Sequence, residues 1–264
     1  MTNLGDLIYV LCLHVSQINV MDLRAYEGSN PHDLLLITVL PEEVNYWNSV
    51  IVGLENTNTI YINDAGCRCI WQIGMNNNRI DKWMSYEDFR ETSVSASYNN
   101  EQVVLLRRHD DYLLYLEIYD EDKTLVRKLS LPEHFRFPFH VTQKPNGDFI
   151  VSHSLRTYGG RMFASIVSVD GQIISQFILT DGRSVEPVKM VMDTDNSILI
   201  LVQKSDGYKH LFDLIAFDLK PVDRCWYPHP MALLYDRKKR QFIYIRKEKV
   251  RLTERMDVSF FFGL

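Results

Sequence analysis

Short runs of alternating apolar and polar residues recur along the chain, each bounded by turn residues. "GDFIVSH" (147–153) is one, preceded by the turn Pro145-Asn146-Gly147. Its relatives are "LIYVLC", "TIYIND", "QVVLLR", "SILILV" and "QFIYIR", starting at residues 7, 59, 102, 197 and 241. With Asp148 as the start of the "GDFIVSH" copy, successive copies lie 43–52 residues apart. Period-2 alternation over so few residues specifies half-buried strands. A repeat of roughly 40–50 residues is the length of a four-stranded antiparallel unit.

The surroundings of each copy fill that unit. Ahead of it lies another strand-like run with a polar turn, as in "SVIVGLENTN", "SVSASYNN", "HVTQKPNG", "VKMVMDTDN" and "MALLYDRKKR". Behind it come a third run ("QINVMDL", "RCIWQI", "YLLYLEIYD", "FASIVSVDG", "HLFDLIAFD") and often a fourth ("LLLITVL", "RIDKWM", "LVRKLSL", "IISQFIL"). The best helix candidate is the short "SYEDFRE" (85–91). The pattern predicts an all-β fold: a six-bladed β-propeller of four-stranded antiparallel blades, built as a single domain over 1–264. The end blades are expected to be incomplete. No strand is expected before the first copy, and residues 257–262 ("DVSFFF") are expected to pair with the N-terminal blade and close the ring, since open edges invite aggregation.

Composition narrows the function classes. The chain of 264 residues is 46% hydrophobic and 24% charged, and aromatics reach 12%, which suits β structure. A net charge of −5 removes a global electrostatic case for nucleic acid. The N-terminus carries Asp6 and no basic residue ahead of its apolar run, a poor signal peptide. No run approaches the roughly 18 apolar residues of a membrane helix. A soluble cytoplasmic protein without membrane contact is the expectation. Cys12, Cys67, Cys69 and Cys225 lack zinc-site spacing and read as packed or idle thiols.

"TIYINDAGCRCIWQI" (59–73) resembles the NHL repeat, in which a strand ends in aspartate and the next begins with arginine and an aliphatic; Asp64, Arg68 and Ile70 carry the match. "PFHVTQKPNGDFIVSHS" and "DGQIISQF" add to it. Together they resemble the NHL-like six-bladed propellers of invertebrate animals over roughly residues 5–255, although the Asp/Arg pair is absent from the fifth and sixth blades. The resemblance implies an interaction platform. Some relatives bind RNA, and others, of gluconolactonase type, hydrolyse lactones with a channel metal. Fold does not choose among these.

The candidate chemistry is sparse. His140 and His153 fall where an inner strand starts and its neighbour ends, so both are expected at one rim; a metal would need a third ligand. Oxygen donors near inner-strand starts, placed at Trp47/Asn48, Ser93/Val94, Phe139/His140, Pro187/Val188 and Pro230/Met231, reduce to Asn48 with Glu43 and Glu186. No cofactor, metal set or catalytic set is assigned. No G-x-S-x-G, P-loop or G-x-G-x-x-G is present. The run 237–251 holds eight basic residues against Glu248, and Arg237, Lys238, Lys239 and Arg240 form its densest part. It reads as a solvated hairpin, or as an RNA contact. Trp71 and Trp83 read as inter-blade core, and Asp64 with Arg68 as a structural ion pair.

The leading reading is a non-enzymatic binding module for a protein or peptide, with an RNA-binding propeller and a metal-dependent lactonase-like hydrolase as alternatives. The segments "EEVNYWNS" and "EHFRFPFH" join large aromatics to charge. Tyr46, Trp47, Arg136, Phe137, Phe139 and His140 are the expected contact residues, because aromatic and Arg anchors with polar neighbours make binding hot spots.

Overall fold

A computed structural model describes residues 2–4, 7–12, 17–22, 35–39, 50–64, 67–86, 89–99, 101–109, 113–133, 135, 137–154, 161–180, 185–192, 198–205, 210–216, 221–225, 232–236, 241–246 and 249–252. Among these residues all regular structure is β-strand, and every paired strand is antiparallel to its neighbour in an up-and-down meander. No helix among them is long and apolar enough to cross a membrane.

The chain divides into two compact units, 1–133 and 134–264. The first unit holds three sheets. They are β1 (Thr2–Leu4), β2 (Leu7–Cys12), β3 (Gln17–Asp22) and β4 (Leu35–Val39); then β5 (Val50–Leu54), β6 (Thr59–Asp64), β7 (Cys69–Gly74) and β8 (Arg79–Ser85); then β9 (Phe89–Ala96), β10 (Val103–His109), β11 (Leu114–Tyr119) and β12 (Leu125–Leu131). Here β5 lies beside both β1 and β9. The second unit holds β13 (Phe137–Gln143), β14 (Phe149–Ser154), β15 (Met162–Val167) and β16 (Ile173–Thr180); β17 (Val185–Met192), β18 (Ile198–Ser205), β19 (His210–Ala216) and β20 (Pro221–Cys225); and β21 (Ala232–Asp236), β22 (Gln241–Arg246) and β23 (Lys249–Leu252). There β13 lies beside β17.

All six repeat copies are second strands, β2, β6, β10, β14, β18 and β22, as the periodicity predicts. Two expectations fail. "SYEDFRE" is no helix: Ser85 ends β8 and residues from Phe89 onward open β9, four residues ahead of the expected start at Ser93. The register with β10 slips between Arg108 and His109, so one extra residue is absorbed as a bulge rather than a helical turn. The first copy does have a preceding strand, because Thr2–Leu4 pair with Leu7–Tyr9. Only two residues, Gly5 and Asp6, separate that strand from β2 in the sequence. The last sheet has three described strands, and residues 257–262 lie outside the described residues.

Among the strands with described burial, the second strands β6, β10 and β14 are the most buried. β6 and β14 are buried at every position, whereas β12 is exposed at nearly every one. A strand covered on both faces need not alternate. Between the second and third sheets the core joins Leu54, Tyr61, Ile70, Trp83, Tyr86, Val94, Val103, Leu105 and Tyr119. Trp83 meets Tyr61 and Tyr119 edge-on at centroid distances of 5.1 and 5.7 Å, the geometry aromatic quadrupoles favour. Trp71 and Trp83 are thus core residues.

Candidate functional site

A meander of four strands places the second-to-third loop and the crossing to the next sheet at the same end. In the second, third and fourth sheets that end carries a pair of polar residues at or next to the close of the second strand: Asn63-Asp64, Arg107-Arg108 just ahead of His109, and His153-Ser154. All six side chains are buried. Burying polar groups is costly unless they are hydrogen-bonded, so their partners define what this end can do.

In the second sheet, Asp64 accepts a hydrogen bond from the Cys67 amide at 3.0 Å and one from the Trp71 indole at 3.4 Å. Tyr86 donates to Asn63 and lies 3.3 Å from the Asp64 carbonyl oxygen. Arg68 occupies the following turn with φ 50°, and its carbonyl accepts from the Tyr86 amide at 2.9 Å. The Asp-x-x-x-Arg spacing that carries the NHL resemblance thus ties the turn between β6 and β7 to the end of β8.

In the third sheet, Arg107 donates to Glu117 at 2.8 Å with both side chains buried. Tyr119 donates to the same oxygen at 2.9 Å, and Lys128 binds the other at 3.0 Å. The Arg107 guanidinium also faces Met84 Sδ at 3.1 Å and the Tyr86 ring at 5.4 Å, so the network spans two sheets. Burial alone would raise the Glu117 carboxyl. Lys128, Arg107 and Tyr119 outweigh it and hold the group below its usual range. Tyr119 is pushed up to about 12, first by burial and then by the Glu117 charge beside it.

In the fourth sheet, His153 lies between Phe135 and Phe163, with centroids at 3.9 and 5.5 Å. Its Nε2 is 2.9 Å from Ser165 Oγ and 3.3 Å from the Gln176 amide nitrogen. His153 is fully buried and His140 half-buried, although both lie at the same end of β13 and β14. In register, His153 faces Pro138 and His140 faces Ser152, with a bulge that leaves Phe139 as the extra residue. The His140 amide donates to the buried Ser152 hydroxyl at 3.1 Å, anchoring the bulge. The same slip occurs in β17, where Pro187 faces Val202 and Lys189 faces Leu201. Bulges re-aim side chains at sheet ends.

Of the six expected contact residues, Phe139 and His140 are half-buried at this bulge. Phe137 opens β13, and its side chain is outside the described set. Tyr46, Trp47, Arg136 and the basic cluster Arg237, Lys238, Lys239 and Arg240 lie outside the described residues, as do Glu43 and Asn48. Among the described residues, no three of His, Cys, Asp and Glu come together as a metal-binding group. Cys67 is exposed and Cys69 buried. Sequence reasoning missed the Arg107–Glu117–Tyr119–Lys128 network. The available signal was the polar pair near the end of the copies in the second, third and fourth sheets.

No family model matches the chain. No curated protein matches it. Solved structures do. A Bacteroides caccae protein of unknown function superposes with a TM-score of 0.60 at 10% identity, over 90% of this chain and 81% of that one. A catalytically inactive virginiamycin B lyase from Staphylococcus aureus, solved with quinupristin, gives 0.56 at 10% identity over 97% and 83%. An oligogalacturonate lyase in complex with manganese gives 0.53 at 8% over 86% and 64%. The fold is a β-propeller. Its six antiparallel sheets among the described residues are the blades.

Proposed function

We propose that this propeller is a non-enzymatic binding module, a single domain of NHL-like type working in the cytoplasm, that presents its inter-blade end to a protein or peptide. The observation that carries the reading is the bulged start of β13. It turns Phe139 and His140 out as half-buried residues on a strand anchored by buried Ser152. Among the described residues, groups a reaction would use are committed to internal bonds: Asp64 to Cys67 and Trp71, Glu117 to Arg107, Lys128 and Tyr119, and His153 to Ser165. A rigid scaffold under an aromatic and a polar anchor is what a hot spot uses. Two similar structures are named lyases, but at 10% and 8% identity that likeness concerns fold. The lactonase-like alternative therefore has only the fold behind it. RNA contact through Arg237, Lys238, Lys239 and Arg240 is the other alternative, and would show a steep fall of binding with salt.

The test starts from a displayed library of random peptides selected on the whole chain. Phe139→Ala and Trp47→Ala should each weaken the selected binders by about 2 kcal/mol, roughly 30-fold, with an unchanged melting temperature. Binders indifferent to both substitutions, while an oligonucleotide binds with a steep salt slope, would replace this reading with the RNA one.

A further inference from the structure

The fourth strand of the third blade ends in Arg127-Lys128-Leu129-Ser130-Leu131. Among the chain's serines and threonines, only Ser93 and Ser130 have an arginine three residues ahead. Ser93 has Glu91 two residues ahead and is half-buried, whereas Ser130 has Lys128 there and is exposed. Leu125, Val126, Arg127 and Lys128 are exposed as well. Pairing with β11 is unbroken from Arg127, opposite Ile118, to Leu131, opposite Leu114. No strand lies along the other edge of β12 among the described residues. The Ser130 hydroxyl is thus offered on an extended segment open to solvent. Side chains two apart on a strand share a face, so Lys128 and Ser130 point the same way. Tyr115 is directly opposite Ser130, and Glu117 directly opposite Lys128. The Lys128 ammonium lies 3.0 Å from Glu117 Oε1 and 4.1 Å from the centre of the Tyr115 ring. It therefore touches both the carboxylate and the ring that faces Ser130.

We propose that Ser130 is a phosphorylation site for a basophilic serine/threonine kinase, and that Lys128 receives the phosphate. Charge patterns beside the acceptor select kinase substrates, and Arg127 with Lys128 sets two cations just ahead of it. In the transfer, Ser130 Oγ bonds the γ-phosphorus of ATP and the bond from that phosphorus to the bridging oxygen breaks. ADP leaves with the electron pair, and the hydroxyl proton passes to the kinase's catalytic aspartate. The product carries a charge of about −1.5 to −2 at pH 7. Its Cα stands about 7 Å from that of Lys128 along the strand, a span that lysine's flexible four-carbon stem covers. Glu117, on the diagonal, repels the new charge. The ammonium that already touches Glu117 and Tyr115 bridges the two anions. Arg107, bonded to the other Glu117 oxygen at 2.8 Å, keeps the carboxylate paired while Lys128 is shared. The phosphate thus borrows a cation from the network without leaving a buried charge uncompensated.

The site is tested on the whole folded chain with MgATP and the catalytic subunit of cyclic-AMP-dependent protein kinase, the modified peptides being mapped by mass spectrometry. One phosphoryl group should appear on Ser130. Ser130→Ala should lose it, and Arg127→Ala should slow its appearance about tenfold or more, the loss of a charge-assisted contact. If Arg127→Ala fails to fold, the comparison with Ser130→Ala decides. A folded chain left unmodified at Ser130 overturns the site, whether the label goes elsewhere or Ser130 reacts only after heat denaturation. The receiver is read separately, on chains synthesised with phosphoserine at position 130. In a phosphorus NMR titration the second ionisation of the phosphate, at about pH 6 when unperturbed, should fall at lower pH in the parent than in Lys128→Gln, because a nearby ammonium favours the dianion. Equal values in the two chains overturn the role of Lys128.

Discussion

A glycine and a lysine hold the same place in two hairpins. Between β13 and β14, the Lys144 amide bonds the Asp148 carbonyl and the Gly147 amide bonds the Lys144 carbonyl, with Gly147 at φ 90°. Between β11 and β12 the same pair of bonds links Asp120, Lys123 and Thr124, with Lys123 at φ 66°. This is a turn followed by a left-handed residue, a common three-residue hairpin loop. A Cβ on Gly147 would also stand 3.1 Å from Val169 Cγ1. Gly147→Val is therefore expected to lose about 2 kcal/mol from backbone strain and crowding, measured by urea unfolding. Lys123→Gly should gain about 0.5 kcal/mol, the relief of left-handed strain exceeding the entropy glycine adds to the unfolded chain. Pro-Asn-Gly announces its turn in the sequence because Gly is the residue that position wants. Lys123 announces nothing, since lysine takes the conformation only under compulsion from the strands around it.

Strands were legible for a different reason: six copies with one spacing reinforce each other, and each second strand fell where the repeat put it. What joins the strands was not. Glu117 lies directly opposite Lys128 and diagonal to Arg107, a relation that exists only once β10, β11 and β12 take their register. His140 and His153 stand at the same end of β13 and β14, but spacing does not tell that His153 is buried while His140 is half-buried. The third blade gives a quantitative check. Glu117→Gln leaves Arg107 buried beside a neutral amide and should cost about 3 kcal/mol. Lys128, whose side chain is 44% exposed, should cost no more than about 1 kcal/mol as Lys128→Ala. Equal losses in thermal melts of the two variants would mean that the network does not centre on Arg107.

For the whole molecule, the network makes stability depend on acid. Lys128, Arg107 and Tyr119 hold the Glu117 carboxyl below the usual carboxylate range in the folded chain despite its burial, so the unfolded chain binds the proton more readily there. Its contribution is complete above the unfolded value and is lost as pH falls through the lowered, folded one. Melting temperature should therefore drop below about pH 4.5 more steeply in the parent than in Glu117→Gln. The sealed pairs Asn63-Asp64, Arg107-Arg108 and His153-Ser154 bear on a hazard particular to tandem repeats, in which one hairpin assembles into the place of its neighbour. The aliphatic stretches of the copies are nearly interchangeable. Their closing pairs are not: a carboxylate, a guanidinium and an imidazole each require a different set of waiting hydrogen-bond partners. A hairpin seated in the wrong blade would leave that group stranded in a dry interior. In these three blades the end of the second strand is thus expected to act as an address, by which the growing chain tells them apart.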